Sequence, residues 1–379
     1  MKDDEEVKAT SAADSEEDAK ALEEFERRPS TLPEIAIEMR NFATEELANS
    51  VGEAVHCWLH IAGKLLDLKS LIQVIVAYNY NEALAGIDQG APVSKPLTAT
   101  DDGIGVGVAM TPRVLRDGEP KSIMVLNANY LSVFAPNDHP DINVARKEMA
   151  YTLVHECGHV HDLGVQAASM PGVILQTALS YRDKFLFYIA SGCWEEYIAC
   201  RLSAFAGTES TLRQFEETFC NSVERAKGRA DAAIRQYRMH RDLARVVQEV
   251  VEEYKKTLVY ASYMLGHIDG LGLSLDVNAP KAMSALGRQP PFRPFVTKLH
   301  DELRAMHETY GGWKGLEVFE PLKRLSEELL KLGGIYIQDR PDGAGRVDIP
   351  FRAETIPTPE EQAAFLMGES TTGCSGVHS

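Results

Sequence analysis

The chain has 379 residues, 44% hydrophobic and 25% charged, which is ordinary for a folded protein of one large or two modest domains. Its formal net charge of −17 argues against nucleic acid as the main partner, because phosphate binding needs clustered lysine and arginine. No stretch approaches the roughly 20 apolar residues of a membrane helix, and the acidic opening lacks signal-peptide features, so we expect a cytoplasmic protein with no membrane partner.

The first part of the chain is predicted to contain a tail and then a mixed α and β region. Residues 1–30 are acidic and poor in aromatic side chains, a composition typical of disorder. Apolar residues recur at helical spacing over about 38–68, which predicts a helix. The β-branched run at 71–76 predicts a buried strand, and the Gly, Pro, Thr and Asp content of 84–103 indicates a loop.

A β-hairpin is predicted next. Segments 106–115 and 122–126 flank Asp117 and Gly118, a turn pair that tolerates positive φ. Apolar spacing then predicts a helix over about 142–163, and the glycine that follows is placed to stop it.

The rest of the chain is predicted to be mainly helical. Residues 173–271 have helical spacing with a break near Gly207, and the span 211–265 is long and charged on one side. Further helices are expected over 292–309 and 316–332.

A small hairpin and a flexible tail are predicted to close the chain. Residues 335–338 and 346–351 flank a Pro-Asp-Gly turn, and the residues beyond them are rich in Thr, Glu, Gly and Ser. The predicted domains are a disordered acidic tail (1–30), a catalytic core (31–206), a helical subdomain (207–333) and the late hairpin with its tail (334–379).

One short motif carries the chemistry. His155 and His159 are one helical turn apart and project from the same face, so they can offer two imidazole nitrogens to one zinc ion. Glu156 points to the side, where it can act as general base toward a zinc-activated water. The alternative interpretation is a buried helix whose histidines hydrogen-bond to backbone.

A third zinc ligand is expected from a second helix, because catalytic zinc keeps three protein ligands and one open position. The best segment contains Glu195 and Glu196. Glu196 shares a helix face with small residues that permit close helix packing, so we predict Glu196 as ligand and keep Glu195 as the reserve. Two surface charges remain the alternative.

The motif His155-Glu156-x-x-His159 followed by a helical glutamate resembles the zincin metallopeptidases, in particular their glutamate-ligand (gluzincin) branch. The order of elements also resembles the ImmA and IrrE-like peptidases. The resemblance covers about residues 71–205, roughly a third of the chain, and implies an α+β, zincin-like fold. In such a fold a small mixed sheet lies over the HExxH helix, and here a mainly helical half follows.

The chain also departs from the patterns of this family. A third histidine of the metzincin kind would stand at position 166, which is Gln166. The aspartate that orients a zinc histidine in thermolysin-like enzymes would stand at position 200, which is Cys200. Asp162 is a candidate for that orienting role but could equally face solvent, and His161 is expected to be an ordinary surface or supporting histidine.

A peptidase also needs a donor for the oxyanion of its transition state. Tyr263 and His267 lie four residues apart and are the candidates, with an aromatic helix face ending at Gly266 as the alternative interpretation. Tyr197 is a weaker candidate.

These features favour a zinc metallopeptidase that hydrolyses the amide bonds of a peptide or protein substrate. The alternatives are a catalytically inactive binding or regulatory protein on the same scaffold, and a zinc hydrolase of a non-peptide amide. Zinc is the only cofactor expected. The pair His56 and His60 lacks an intervening glutamate and is interpreted as packing plus surface. The sequence predicts neither the oligomeric state nor the cleavage specificity.

Overall fold

The computed structural model describes residues 20–90, 96–99, 107–136, 139–173 and 178–367. The chain divides into two compact units, of which unit 1 comprises residues 1–99 and 108–164 and unit 2 comprises residues 100–107 and 165–379. The predicted mixed α and β architecture is confirmed, with a small sheet in unit 1 and mainly helices in unit 2. Within the described ranges, none of the helices combines the length and apolar character needed to cross a bilayer.

Unit 1 is built on a five-stranded sheet. A parallel core of three strands is extended by two short antiparallel strands, which both pair with the last strand of that core. The central strand is apolar almost throughout because parallel strands are covered on both faces. The strands are β1 (Ile37–Arg40), β2 (Leu71–Ala77), β3 (Ala109–Met110), β4 (Arg113–Arg116) and β5 (Glu119–Asn127), in the order β1-β2-β5-β3 with β4 beside β5.

The predicted helix over 38–68 is wrong at its start. Residues 37–40 form β1, which pairs in parallel with β2, and helix α1 (Glu45–Ala62) begins only after Thr44. The Thr44 side chain accepts a hydrogen bond from the Leu47 amide at 3.2 Å and so caps the helix. Pairing with a buried strand therefore outweighs the helical spacing of the first apolar residues.

The predicted hairpin is confirmed. Asp117 and Gly118 have φ values of 52° and 79°, and they join β4 to β5 as a two-residue turn. Strands β3 and β4 pair with β5 in the same antiparallel register. Thr111 and Pro112 connect the two short strands without a shift of that register. Pro112 cannot donate to the ladder, but its carbonyl accepts from the Ile123 amide at 3.1 Å.

The helix that carries the motif is longer than predicted. After the short helices α2 (Tyr80–Ala85) and α3 (Ala128–Leu131), helix α4 spans Ile142–Ser169 and passes through Gly164 instead of stopping there. Gly164 does not have the positive φ of a stop glycine. Apolar residues on both sides of the motif are fully buried, so the helix is sequestered where the motif lies; they include Leu153, Val154, Cys157 and Val160.

Unit 2 is mainly helical. The predicted single span 211–265 is interrupted, because Arg241 adopts a left-handed conformation (φ 59°) and Asp242 caps a new helix by accepting from the Arg245 amide. The break near Gly207 is confirmed. The helices are α5 (Tyr181–Ser203), α6 (Glu209–His240), α7 (Leu243–Gly270), α8 (Leu275–Asn278), α9 (Pro280–Arg288), α10 (Arg293–Glu308) and α11 (Glu320–Leu332).

Helices α5 and α7 approach each other backbone to backbone. A Cβ atom placed on Gly266 would lie 2.2 Å from the carbonyl oxygen of Tyr197, and one on Gly270 would lie 2.4 Å from that of Arg201. Gly266 does not end its helix, as one interpretation of the sequence held, since α7 continues to Gly270. Both glycines are needed because no side chain fits between the two helices.

The end of the chain also differs from its prediction. The late hairpin is confirmed as β6 (Tyr336–Asp339) paired with β7 (Gly345–Asp348). The predicted tail contains helix α12 (Pro359–Leu366), whose start is fixed by a capping box between Thr358 and Glu361. Residues 20–27 are also helical, within the segment predicted to be disordered, while residues 1–19 and 368–379 lie outside the described residues.

Candidate metal centre

The two motif histidines converge on one point in unit 1. The Nε2 atoms of His155 and His159 lie 3.1 Å apart, and their ring planes stand at 88°. Two nitrogens bound to one tetrahedral zinc at about 2.0–2.1 Å each would be about 3.3–3.4 Å apart. The pair therefore has nearly the spacing of two zinc ligands. The same distance also fits an imidazole–imidazole hydrogen bond, which would need one Nε2 protonated and the other bare.

Glu156 is held by a residue that the sequence analysis did not single out. Its side chain is 5% exposed, and its Oε2 accepts a hydrogen bond of 2.6 Å from the hydroxyl of Thr111. An O–H···O contact of this length is typical of a bond to an ionised carboxylate. The only signal in the sequence is that Thr111 precedes a proline inside a predicted strand, which does not by itself indicate a functional residue.

Tyr80 is a second residue that the sequence analysis missed. It is 5% exposed at the start of α2, and its hydroxyl has no hydrogen-bond partner among the residues that the structure describes. Burial, and secondarily the charge of Glu156, raise the pKa of Tyr80 well above its usual range, so the phenol stays protonated. Its place directly after the carboxyl end of a parallel strand is the signal that could have identified it.

The other polar residues of the motif helix have structural contacts within unit 1. Asp162 is fully buried and forms an ion pair with Arg113, with 3.4 Å between nitrogen and oxygen. His161 accepts a hydrogen bond from the Asp67 amide through Nδ1 at 2.8 Å, and burial lowers its pKa. Asp162 thus does not face solvent, and His161 acts as a neutral acceptor.

The predicted third ligand belongs to α5. This helix is buried almost all round, since Trp194 on one predicted face and Cys200 on the other are both fully buried. Glu195 and Glu196 are each partly buried. Glu196, the predicted third ligand, belongs to unit 2, whereas His155 and His159 belong to unit 1.

Searches against protein families, curated proteins and solved structures all found no match. Any assignment of function therefore has to come from the site itself.

The structure places the two oxyanion-donor candidates in an aromatic cluster of unit 2. The rings of Tyr263 and His267 on α7 lie 5.3 and 5.8 Å from the ring of Phe215 on α6. His267 is 1% exposed, and burial lowers its pKa to about 4, so it is neutral near pH 7.

The weaker candidate, Tyr197, has a structural role. Its hydroxyl donates to Asp269 at 2.6 Å and accepts from Arg201 at 2.9 Å. Burial alone would raise the pKa of Asp269, but hydrogen bonds from His300, Arg304 and Tyr197 hold it below its usual range. This network ties α5, α7 and α10 together at a buried, ionised carboxylate.

Proposed function

We propose that the chain is a zinc-dependent metallopeptidase of the zincin type, of the branch that uses a glutamate as third ligand. The observation that carries the proposal is the pair of Nε2 atoms 3.1 Å apart on a buried helix, with Glu156 between the two histidines in sequence. The resemblance of the motif to that family adds support, and the mixed α and β architecture is compatible with it.

The burial of the motif favours a metal over a histidine–histidine contact. His155 is 7% exposed and Glu156 is 5% exposed, and polar groups removed from water need partners to offset their desolvation. A cation offsets the burial of both rings and of a nearby carboxylate at once.

Each residue then has a definite role. His155, His159 and Glu196 would hold the metal, and two imidazoles with one carboxylate are a donor set that zinc accepts. When bound, zinc would polarise a carbonyl oxygen and lower the pKa of a water molecule toward neutrality. Glu156 accepts the proton of the attacking water and returns it to the leaving amine. Asp162 and Arg113 hold the helix against the strand region.

The first test is metal content. We expect the purified protein to hold about one zinc ion per chain, and His155→Ala to hold none. Glu196→Gln should weaken zinc binding by about 10-fold or more, whereas the neighbouring Glu195→Gln, which changes the same charge, should not. Equal zinc binding by wild type and His155→Ala would contradict the proposal.

The second test is hydrolysis of a peptide library. Glu156→Gln should keep zinc and lose about 10²–10⁴-fold in kcat, because general-base catalysis is worth about that factor. If wild type binds zinc but cleaves neither the library nor denatured casein, the peptidase proposal is wrong. A zinc-bearing scaffold for binding, or a hydrolase of other amides, would then be the better interpretation.

A further inference from the structure

The contact between Thr111 and Glu156 makes the two oxygens of the Glu156 carboxylate differ in their hydrogen bonding. Oε2 accepts the hydroxyl of Thr111 at 2.6 Å. Oε1 has no hydrogen-bond partner among the residues that the structure describes. A general base needs one free oxygen aimed at the proton that it takes, and it loses efficiency when the carboxylate can rotate. The asymmetry therefore matches what the proposed reaction requires.

Thr111 is itself held firmly by its neighbours in the chain. Before it, Met110 pairs with Val125, and after it Arg113 pairs with Ser122 in the same antiparallel register. Pro112 fixes its own φ and restricts Thr111 to an extended conformation.

A second contact anchors the same segment to the motif helix. Two residues beyond Thr111, the Arg113 guanidinium pairs with the fully buried carboxylate of Asp162, with 3.4 Å between Nη2 and Oδ2. Because this ion pair also holds β4 against α4, the Thr111 hydroxyl has little freedom to move away from Oε2 of Glu156.

We propose that Thr111 is a positioning residue for Glu156. By holding Oε2, it fixes the plane of the carboxylate and leaves Oε1 as the oxygen that receives the proton. The inference rests on the proposed function, since it assigns Thr111 a task in that reaction. The rival explanation is that Thr111 only satisfies a buried carboxylate and contributes to stability.

Three threonine variants separate these explanations. Thr111→Val keeps the shape and removes the hydroxyl, whereas Thr111→Ser keeps the hydroxyl and removes a methyl group. Thr152→Val is the matched control on α4, because the Thr152 hydroxyl donates to the Glu148 carbonyl of its own helix at 3.0 Å. All three are measured as zinc-loaded full-length protein on one peptide substrate.

For Thr111→Val we expect a loss of about 10–100-fold in kcat, with KM within about threefold of wild type and zinc content unchanged. Thr111→Ser should recover kcat to within about threefold of wild type, and Thr152→Val should stay in the same range. In a Glu156→Gln background, Thr111→Val should cost less than about twofold, because the base it positions is already gone.

A measurement on the metal-free protein keeps the contact testable whatever the activity. In a double-mutant cycle on urea unfolding, Thr111→Val and Glu156→Ala should be non-additive, since both remove the same bond. Additive effects would show that the two side chains do not share a stabilising hydrogen bond, and the inference would be overturned. The inference would also be overturned if Thr111→Val kept the kcat of wild type, or if Thr152→Val lost as much kcat as Thr111→Val. A Thr111→Val protein that lost zinc but no other activity would overturn it too. A wild type that cleaves nothing, with a non-additive cycle, would instead refute the proposed function and the catalytic role together while leaving the hydrogen bond established.

Discussion

The close approach of α5 and α7 makes Gly266→Ala an informative substitution. The new Cβ would lie 2.2 Å from the Tyr197 carbonyl oxygen, whereas ordinary van der Waals contact begins at 3.4 Å. The two helices must therefore separate locally by about 1.2 Å, the difference between those two distances. The obstacle is backbone, so no side-chain rotation can relieve the clash.

Two opposing effects set the size of the change. Alanine is favoured over glycine inside a helix by about 1 kcal/mol. Overpacking of a filled core costs about 1–3 kcal/mol, and a backbone clash belongs at or above the upper end of that range. We therefore expect a net loss of about 2 kcal/mol in the free energy of unfolding, or a fall of about 4–8 °C in Tm.

The control is Gly228→Ala in α6, where a Cβ would meet nothing within 4 Å. This variant gains helix propensity without a clash, so its stability should rise by up to about 1 kcal/mol. Thermal unfolding followed by circular dichroism compares the two variants with wild type. A Gly266→Ala protein as stable as wild type would show that the two helices can separate freely, and the packing argument would fail.

Two further predictions concern buried polar groups. Tyr80→Phe should leave stability unchanged or raise it by about 1 kcal/mol in urea unfolding, because the hydroxyl it removes is buried without a partner among the described residues; a clear loss of stability would mean that the hydroxyl is bonded. His267 has a folded pKa of about 4 against an ordinary value of 6.5, so the unfolded chain takes up the proton first and stability is lost as pH falls from about 6.5 to 4. The loss should reach about 3 kcal/mol, and His267→Gln should remove that part of the pH dependence; identical unfolding profiles for the two proteins between pH 4 and pH 7 would contradict the assignment.

Local chemistry predicted the elements whose causes lie within a few residues. The apolar, β-branched run of β2 and the turn pair Asp117-Gly118 appear where they were expected, and so does the helix that carries His155 and His159. These features depend on strand packing, on positive φ and on helical spacing, which can be read from neighbouring positions.

The failures have causes that lie far along the chain. Residues 38–40 have helical spacing, but they join β2 in a parallel pair, and propensity does not predict that partner. The helix break at Arg241 could not be predicted from the sequence, because a non-glycine residue rarely adopts a left-handed conformation. Gly164 lies inside a helix because glycine permits a stop without requiring one.

The candidate site was only partly predictable for the same reason. His155, Glu156 and His159 form a motif within five positions, but Thr111 meets Glu156 across 45 residues of sequence. The choice between Glu195 and Glu196 was also uncertain, because α5 is buried on nearly every side and its apolar pattern hardly favours one face.

The position of β1 at the border of the sheet bears on solubility. Among the described strands only β2 pairs with β1, so the outer row of backbone amides and carbonyls is a template on which another chain could add. The strand is four residues long and is followed by Asn41, which has a positive φ of 63°. It also carries Glu38 and Arg40, whose side chains pair at 2.8 Å. A short, charged border of this kind protects the folded protein against intermolecular β-aggregation.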